Sequence, residues 1–190
     1  MTQDGHGKVP CPSLSVTRQQ AKVLSNELRL SENEDETMNT TRQFLGEPMN
    51  WKDVQVHLSA MQALFGGWRV YVFGDRDAIV QRVSPITQEK RYRLQFTNAE
   101  FQSLLKACSE NDLLVVEPSK RPGYPDETMI QITLINSQKE SRTASKWAGD
   151  KHITFDLVAR LLFELTTRTK DITPYYTGLF DWFKSPIDSP

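Results

Sequence analysis

Trp68-Arg69-Val70-Tyr71-Val72-Phe73, then Gly74-Asp75-Arg76-Asp77, then Ala78-Ile79-Val80-Gln81-Arg82-Val83 sets two alternating runs on either side of a short polar turn. Side chains of an extended chain alternate between two faces. Trp68, Val70 and Val72 therefore point one way, and Arg69, Tyr71 and Phe73 the other. Gly74, Asp75, Arg76 and Asp77 carry turn chemistry, because a glycine and short carboxylates tolerate the tight backbone that joins paired strands. Ala78 to Val83 then returns as the second arm of a hairpin. After a looser turn at Ser84 and Pro85, Arg91 to Phe96 alternates again, with Tyr92, Leu94 and Phe96 inward and Arg91, Arg93 and Gln95 outward. The economical arrangement is a three-stranded meander.

Working outward, Thr97-Asn98-Ala99-Glu100 spells a capping box, and Phe96 can staple onto Phe101 across it. The helix that follows buries Phe101, Leu104, Leu105 and Cys108, with Asn111 suited to the left-handed residue that ends it. Residues 113–116 read as a buried strand or as the return of the chain under the sheet. Pro118, Pro122, Gly123 and Pro125 then exclude both helix and strand from residues 117–127. Ile130, Ile132 and Leu134 mark a strand over 129–135, and a turn at 136–139 leads into another over 140–146. Phe155, Val158, Leu161, Leu162 and Leu165 place a last helix from about Thr154.

Upstream, Trp51, Val54, Leu58, Met61 and Phe65 follow a 3,4,3,4 spacing after Asn50 and before Gly66 and Gly67. This predicts a helix over 50–65. The resulting class is α+β, an antiparallel sheet of about five to six strands with two to three helices packed mainly on one face. Joining turns this short disfavour a doubly wound parallel sheet.

The chain has 190 residues, 23 Lys plus Arg against 24 Asp plus Glu, and 38% hydrophobic residues. That length suits one domain. A formal net charge of -1 gives no electrostatic case for a nucleic-acid partner. Residues 1–49 are polar and include the acidic group Glu32, Glu34, Asp35 and Glu36, so a mobile arm is expected there, with at most a weak helix over 16–30 carrying Ala21, Leu24 and Leu28. Residues 50–170 are expected to form the domain and 171–190 an aromatic tail. Cys11 and Cys108 lie far apart and build neither a disulfide framework nor a metal knuckle. With no apolar run of about 18 residues and no secretory pattern in the first residues, the expectation is a cytoplasmic protein with no membrane partner.

His6, His57 and His152 are the only imidazoles, and none carries a metal or triad spacing. No GxGxxG or GK[ST] pattern is present, so no cofactor is expected. Two surfaces remain. Lys146, Lys151 and His152 surround the start of the last helix, and Arg121 can approach from the long loop. Together they form an anion-binding candidate, against the alternative of a solvated loop with Asp150 or Thr154 as the helix cap. The second surface is a partner-binding candidate made of Tyr124, on the proline-rich loop, and of Tyr176, Phe180, Trp182 and Phe183 in the tail. On a helical repeat Tyr176, Leu179, Phe180 and Phe183 form one stripe, which either packs on the domain's own sheet or serves a partner. Subtraction of the catalytic patterns leaves a non-enzymatic interaction domain, with another protein or a second copy as partner. The alternative is a small-anion binder or enzyme centred on Lys146, Lys151 and His152.

At Gly66 and Gly67, and again from Tyr124, Pro125 and Asp126 through Ile132 and Leu134 to the closing helix, the layout resembles the emfourin-like bacterial inhibitors of thermolysin-type proteases. Both have a glycine pair beside a first strand, a middle helix, a Pro-Asp-led hairpin and a terminal helix. The resemblance covers residues 66–168 and implies a bacterial, inhibitor-like protein. This chain departs from it in an additional early strand pair, a helix before the glycine pair, and long tails. Lys146-Trp147-Ala148-Gly149-Asp150 is similar to a stretch of uncharacterised bacterial domains, which implies no activity.

Overall fold

A computed structural model describes residues 39–62, 64–85, 88–182 and 186–187, which fall within the unit Asn39–Pro190. In chain order the elements are α1 (Thr40–Leu45), a 3-10 turn (Pro48–Asp53), β1 (Gln55–Gln62), β2 (Gly66–Phe73), β3 (Asp77–Val83), β4 (Gln88–Gln95), α2 (Asn98–Glu110), a 3-10 turn (Leu113–Val115), β5 (Met129–Ile135), β6 (Ser141–Trp147), α3 (Ile153–Arg168), a 3-10 turn (Thr169–Asp171) and β7 (Tyr176–Leu179).

The meander forms as its alternation requires. Val70 faces Val80 and Val72 faces Ala78 across β2 and β3, while Val80 faces Tyr92 across β3 and β4. The α2 capping box is complete: Thr97 Oγ1 accepts the Glu100 N–H and the Glu100 carboxylate accepts the Thr97 N–H. The left-handed residue after α2 is Asp112, at φ 47°, and not Asn111, at φ −98°.

All neighbouring strands run antiparallel, in the order β6-β5-β1-β2-β3-β4-β7. The class is α+β with seven strands, where five to six were expected. Both additions correct a helical reading. The stretch read as a helix over 50–65 is a short 3-10 turn followed by β1, and β1 lies in the middle of the sheet between β2 and β5. Its buried set is Val56, Leu58 and Ala60, a repeat of two that Val54 just before it continues. Val54 and Leu58 satisfy both repeats, which is how the apolar pattern misleads. Gly66 and Gly67 turn β1 into β2 instead of stopping a helix. Both have positive φ, and a Cβ on Gly67 would sit 2.1 Å from the Ala60 carbonyl oxygen. Of the stripe assigned to a tail helix, Tyr176 and Leu179 lie in strand β7, where Tyr176 pairs with Arg91 and Leu179 with Gln88. Leu179 is 76% exposed.

Val56, Leu58, Val70, Val72, Val80, Ile132 and Leu134 on one face of the sheet join Phe101, Leu104 and Leu105 of α2 and Phe155, Val158 and Leu162 of α3 in a single core. The start of order expected at Asn50 also moves, because α1 is part of that core. Thr41, Phe44 and Leu45 are buried, and Asp112 accepts from the Thr41 N–H and hydroxyl at 2.8 and 2.7 Å. Residues 1–38 of the arm expected over 1–49, with the weak helix expected over 16–30, lie outside the described residues. In place of the strand expected as one reading of 113–116, Leu113–Val115 make a 3-10 turn.

The opposite face carries charge. Glu89 and Arg91, both buried, form an ion pair at 2.6 Å, and the Gln81 amide donates to Glu89. The tail lies over them. Tyr176 stacks on Arg91 at 4.5 Å, while Arg69 sits 5.2 Å from the Phe180 ring centroid and 5.7 Å from that of Trp182. Among the described residues no helix is long and apolar enough to cross a membrane.

Candidate functional site

Residues 117–127 follow the 3-10 turn at Leu113–Val115 and run beside the last residue of β6. Their backbone is restricted by sequence: Pro118, Pro122 and Pro125 fix their own φ and push Glu117, Arg121 and Tyr124 towards extended conformations. Side chains then pin the segment to the body. Ser119 Oγ accepts the Trp147 N–H at 3.1 Å and donates to the Asp150 carboxylate. Arg121 makes the central knot. Its Nη1 and Nη2 grip Glu127 at 2.8 and 2.7 Å, and its Nε reaches Asp150 at 2.6 Å. The two-pronged contact is the strongest geometry available to a guanidinium and a carboxylate.

Glu127 also accepts the N–H groups of Tyr124 and Gly149, at 3.1 and 2.9 Å. The Trp147 indole donates to the Arg121 carbonyl at 3.2 Å. Its ring lies flush against Gly123, where a Cβ would come within 2.6 Å of two ring carbons. The Gln62 amide donates to the Asp126 carbonyl, tying the loop to the β1–β2 hairpin. Hydrogen bonds from Arg121, with those of the two amides, hold the Glu127 carboxyl down at about 2. The Ser119 hydroxyl and Arg121 lower Asp150 in the same way.

What this frame presents to solvent is Tyr124, 71% exposed, with the Arg121 guanidinium 4.9 Å from its ring centroid. On the adjoining hairpin tip Leu64 and Phe65 are 62% and 57% exposed. Three large apolar side chains thus project from two turns joined by a hydrogen bond.

The four basic residues read as an anion cradle are placed differently. Arg121 ends on two carboxylates, as above. Lys146, almost fully buried, bonds Asp156 at 2.6 Å and also donates to the Asp150 carbonyl. That ion pair keeps the Asp156 carboxyl low, against the burial that would raise it. His152 is the N-cap of α3, accepting the Phe155 N–H through Nδ1 at 3.5 Å. It is exposed, as is Lys151. The cap is therefore His152, not Asp150 or Thr154. Of the partner-binding candidates, Tyr124 is free to touch a second molecule, Tyr176 and Phe180 are half-buried on their own sheet, and Trp182 is 48% exposed. Phe183 lies outside the described residues. Glu127, Asp150, Ser119 and Trp147, which build the frame, were not singled out as site residues in the sequence. The presence of both charge signs in the loop was the visible signal.

No group of three His, Cys, Asp or Glu side chains able to hold a metal occurs among the described residues. Comparison with protein-family models and with curated proteins gives no match to this chain.

Proposed function

We propose that the chain is a non-enzymatic protein-interaction domain whose contact surface is loop 117–127 with the neighbouring hairpin tip. One observation carries this reading: an exposed tyrosine stands on a loop that Arg121, Glu127, Asp150 and Trp147 hold rigid. A loop that only connects two elements needs no such frame. A loop that binds does, because ordering it beforehand removes the entropy otherwise lost on association. Tyrosine suits the role, combining large contact area with few rotatable bonds and a polar tip. The inhibitor-like role implied by the resemblance would be one form of such contact.

Against the anion-binding or enzymatic alternative stands the pairing of Arg121 and Lys146 with carboxylates, which leaves Lys151 and His152 as the exposed members of that set, His152 already engaged as a helix cap. The test is affinity capture from a cell extract with the full chain and with Tyr124→Ala, followed by measurement of the captured protein's affinity for each. The expected result is loss of roughly tenfold or more in affinity, the range of an interface hot spot. Equal affinity for both chains would overturn the reading.

A further inference from the structure

Strand β6 borders the sheet, and hydrogen-bond accounting shows which of its backbone groups the fold leaves over. Its even-numbered residues turn towards β5, as the bonds at both ends establish: the Asn136 N–H donates to the Glu140 carbonyl, and the Ala148 N–H to the Thr128 carbonyl. Backbone direction alternates along a strand, so Ser141, Thr143, Ser145 and Trp147 aim their N–H and C=O groups away from the sheet. Ser119 takes the N–H of Trp147. Among the described residues no loop or turn bonds the backbone of Ser141, Thr143 or Ser145. Ser141, Arg142 and Thr143 are exposed, and neither proline nor glycine interrupts residues 141–145. An edge this continuous is a template for another strand.

We propose that a second copy of the chain pairs here, β6 antiparallel to β6, about a two-fold axis at Thr143. Charge selects this register. An axis at Arg142 sets two arginines opposite each other, and one at Ala144 sets Arg142 opposite Lys146; like charges in facing positions repel. An axis further along runs into the turn, where Lys139 is left-handed, or into Trp147, whose N–H is taken. At Thr143 the axis sets Arg142 against Ala144, Ser141 against Ser145, and Thr143 against itself. Those serines and threonines carry the outward backbone groups, and each facing pair exchanges two N–H···O=C bonds. The stretch is its own complement, which commits the border to a second copy and not to an unrelated strand. Because both copies use the same patch, the contact closes at two. The two copies of loop 117–127, each held at Trp147, fall at opposite ends of the seam.

Sedimentation equilibrium of the full chain across a dilution series measures the mass. Passage from one chain to two, with a dissociation constant in the micromolar range, is expected. Thr143 is exposed, so Thr143→Lys and Thr143→Glu should each keep the fold yet sediment as single chains, because like charges then meet at the axis. Mixing the two variants in equal amounts should restore the dimer, since Lys then faces Glu, a rescue that a merely structural defect would not give. Thermal unfolding of each variant shows whether the fold is retained. If either unfolds, Thr143→Pro takes its place and should also be a single chain, since it removes an outward N–H that the β5 ladder does not use. A single-chain mass up to about 1 mM, a dimer that a folded Thr143 variant leaves intact, or a Lys and Glu mixture that stays monomeric would overturn the inference. None of these outcomes involves Tyr124, so the reading of loop 117–127 is tested separately.

Discussion

Glu127 gathers Arg121, Tyr124 and Gly149 around one carboxylate, so its protonation unties several turns at once. Because its folded value is depressed to about 2, the frame is intact above the ordinary carboxylate range and is lost as pH falls from about 4.5 towards 2. Hydrogen exchange at the Tyr124 and Gly149 amides should rise across that window, and in Glu127→Gln it should be raised already at neutral pH. Unchanged exchange would mean that the other contacts of the loop hold it without the Glu127 carboxylate. His57 titrates in a separate window. Burial pushes it down to about 4, so the unfolded chain binds its proton first and stability falls as pH drops from about 6.5 to about 4. His57→Gln should flatten that part of a stability–pH curve. At this scale the sequence is most readable where partners are near neighbours. Thr97 and Glu100 are three apart and announce their capping box, whereas Arg121 and Asp150 are separated by 29 residues. Only the β5–β6 hairpin brings those two together.

Among the elements, β1 shows the limit of periodicity. Residues four apart fall on one side of a helix and of a strand alike, and Val54 and Leu58 are such a pair; what decides is that β2 and β5 both stand ready to hydrogen-bond the segment. The tail is a similar case, since β7 is fixed by the free edge of β4 and by Arg69 and Arg91, whose charges no apolar pattern records. By contrast, the meander and α2 carry their own turn and capping signals and α3 its apolar repeat, and these could be read directly. Leu58→Ala should destabilise the protein by about 2–5 kcal/mol, as expected for a large side chain removed from a closed core. Met61→Ala, at a partly buried position that a helix would have placed on the same stripe, should have a much smaller effect. Denaturant unfolding of the two variants gives the comparison, and equal losses would contradict the placement of β1.

For the molecule as a whole, the fold depends on pieces distant in sequence. A chain beginning at Asn39 should keep the melting temperature of the full chain, because Thr41, Phe44 and Leu45 stay in the core. One beginning at Asn50 loses two large apolar side chains and the hydrogen bonds to Asp112, so its melting temperature should drop by several degrees or more. Calorimetry on the two truncations checks this, and equal values would show that α1 contributes no stability. A sheet of seven strands also has two outer borders where unpaired amides could recruit extended segments from other molecules. One border is the four-residue β7, too short to offer much of a template. At the other, the Ser119 hydroxyl occupies the Trp147 N–H at the end of β6. The proline-rich loop, which cannot itself extend the ladder, thereby screens that part of β6 from a foreign strand. Its rigidity is protective as well as presentational: a chain that lost the Ser119 contact would carry a longer open border and a greater tendency to assemble into fibrils.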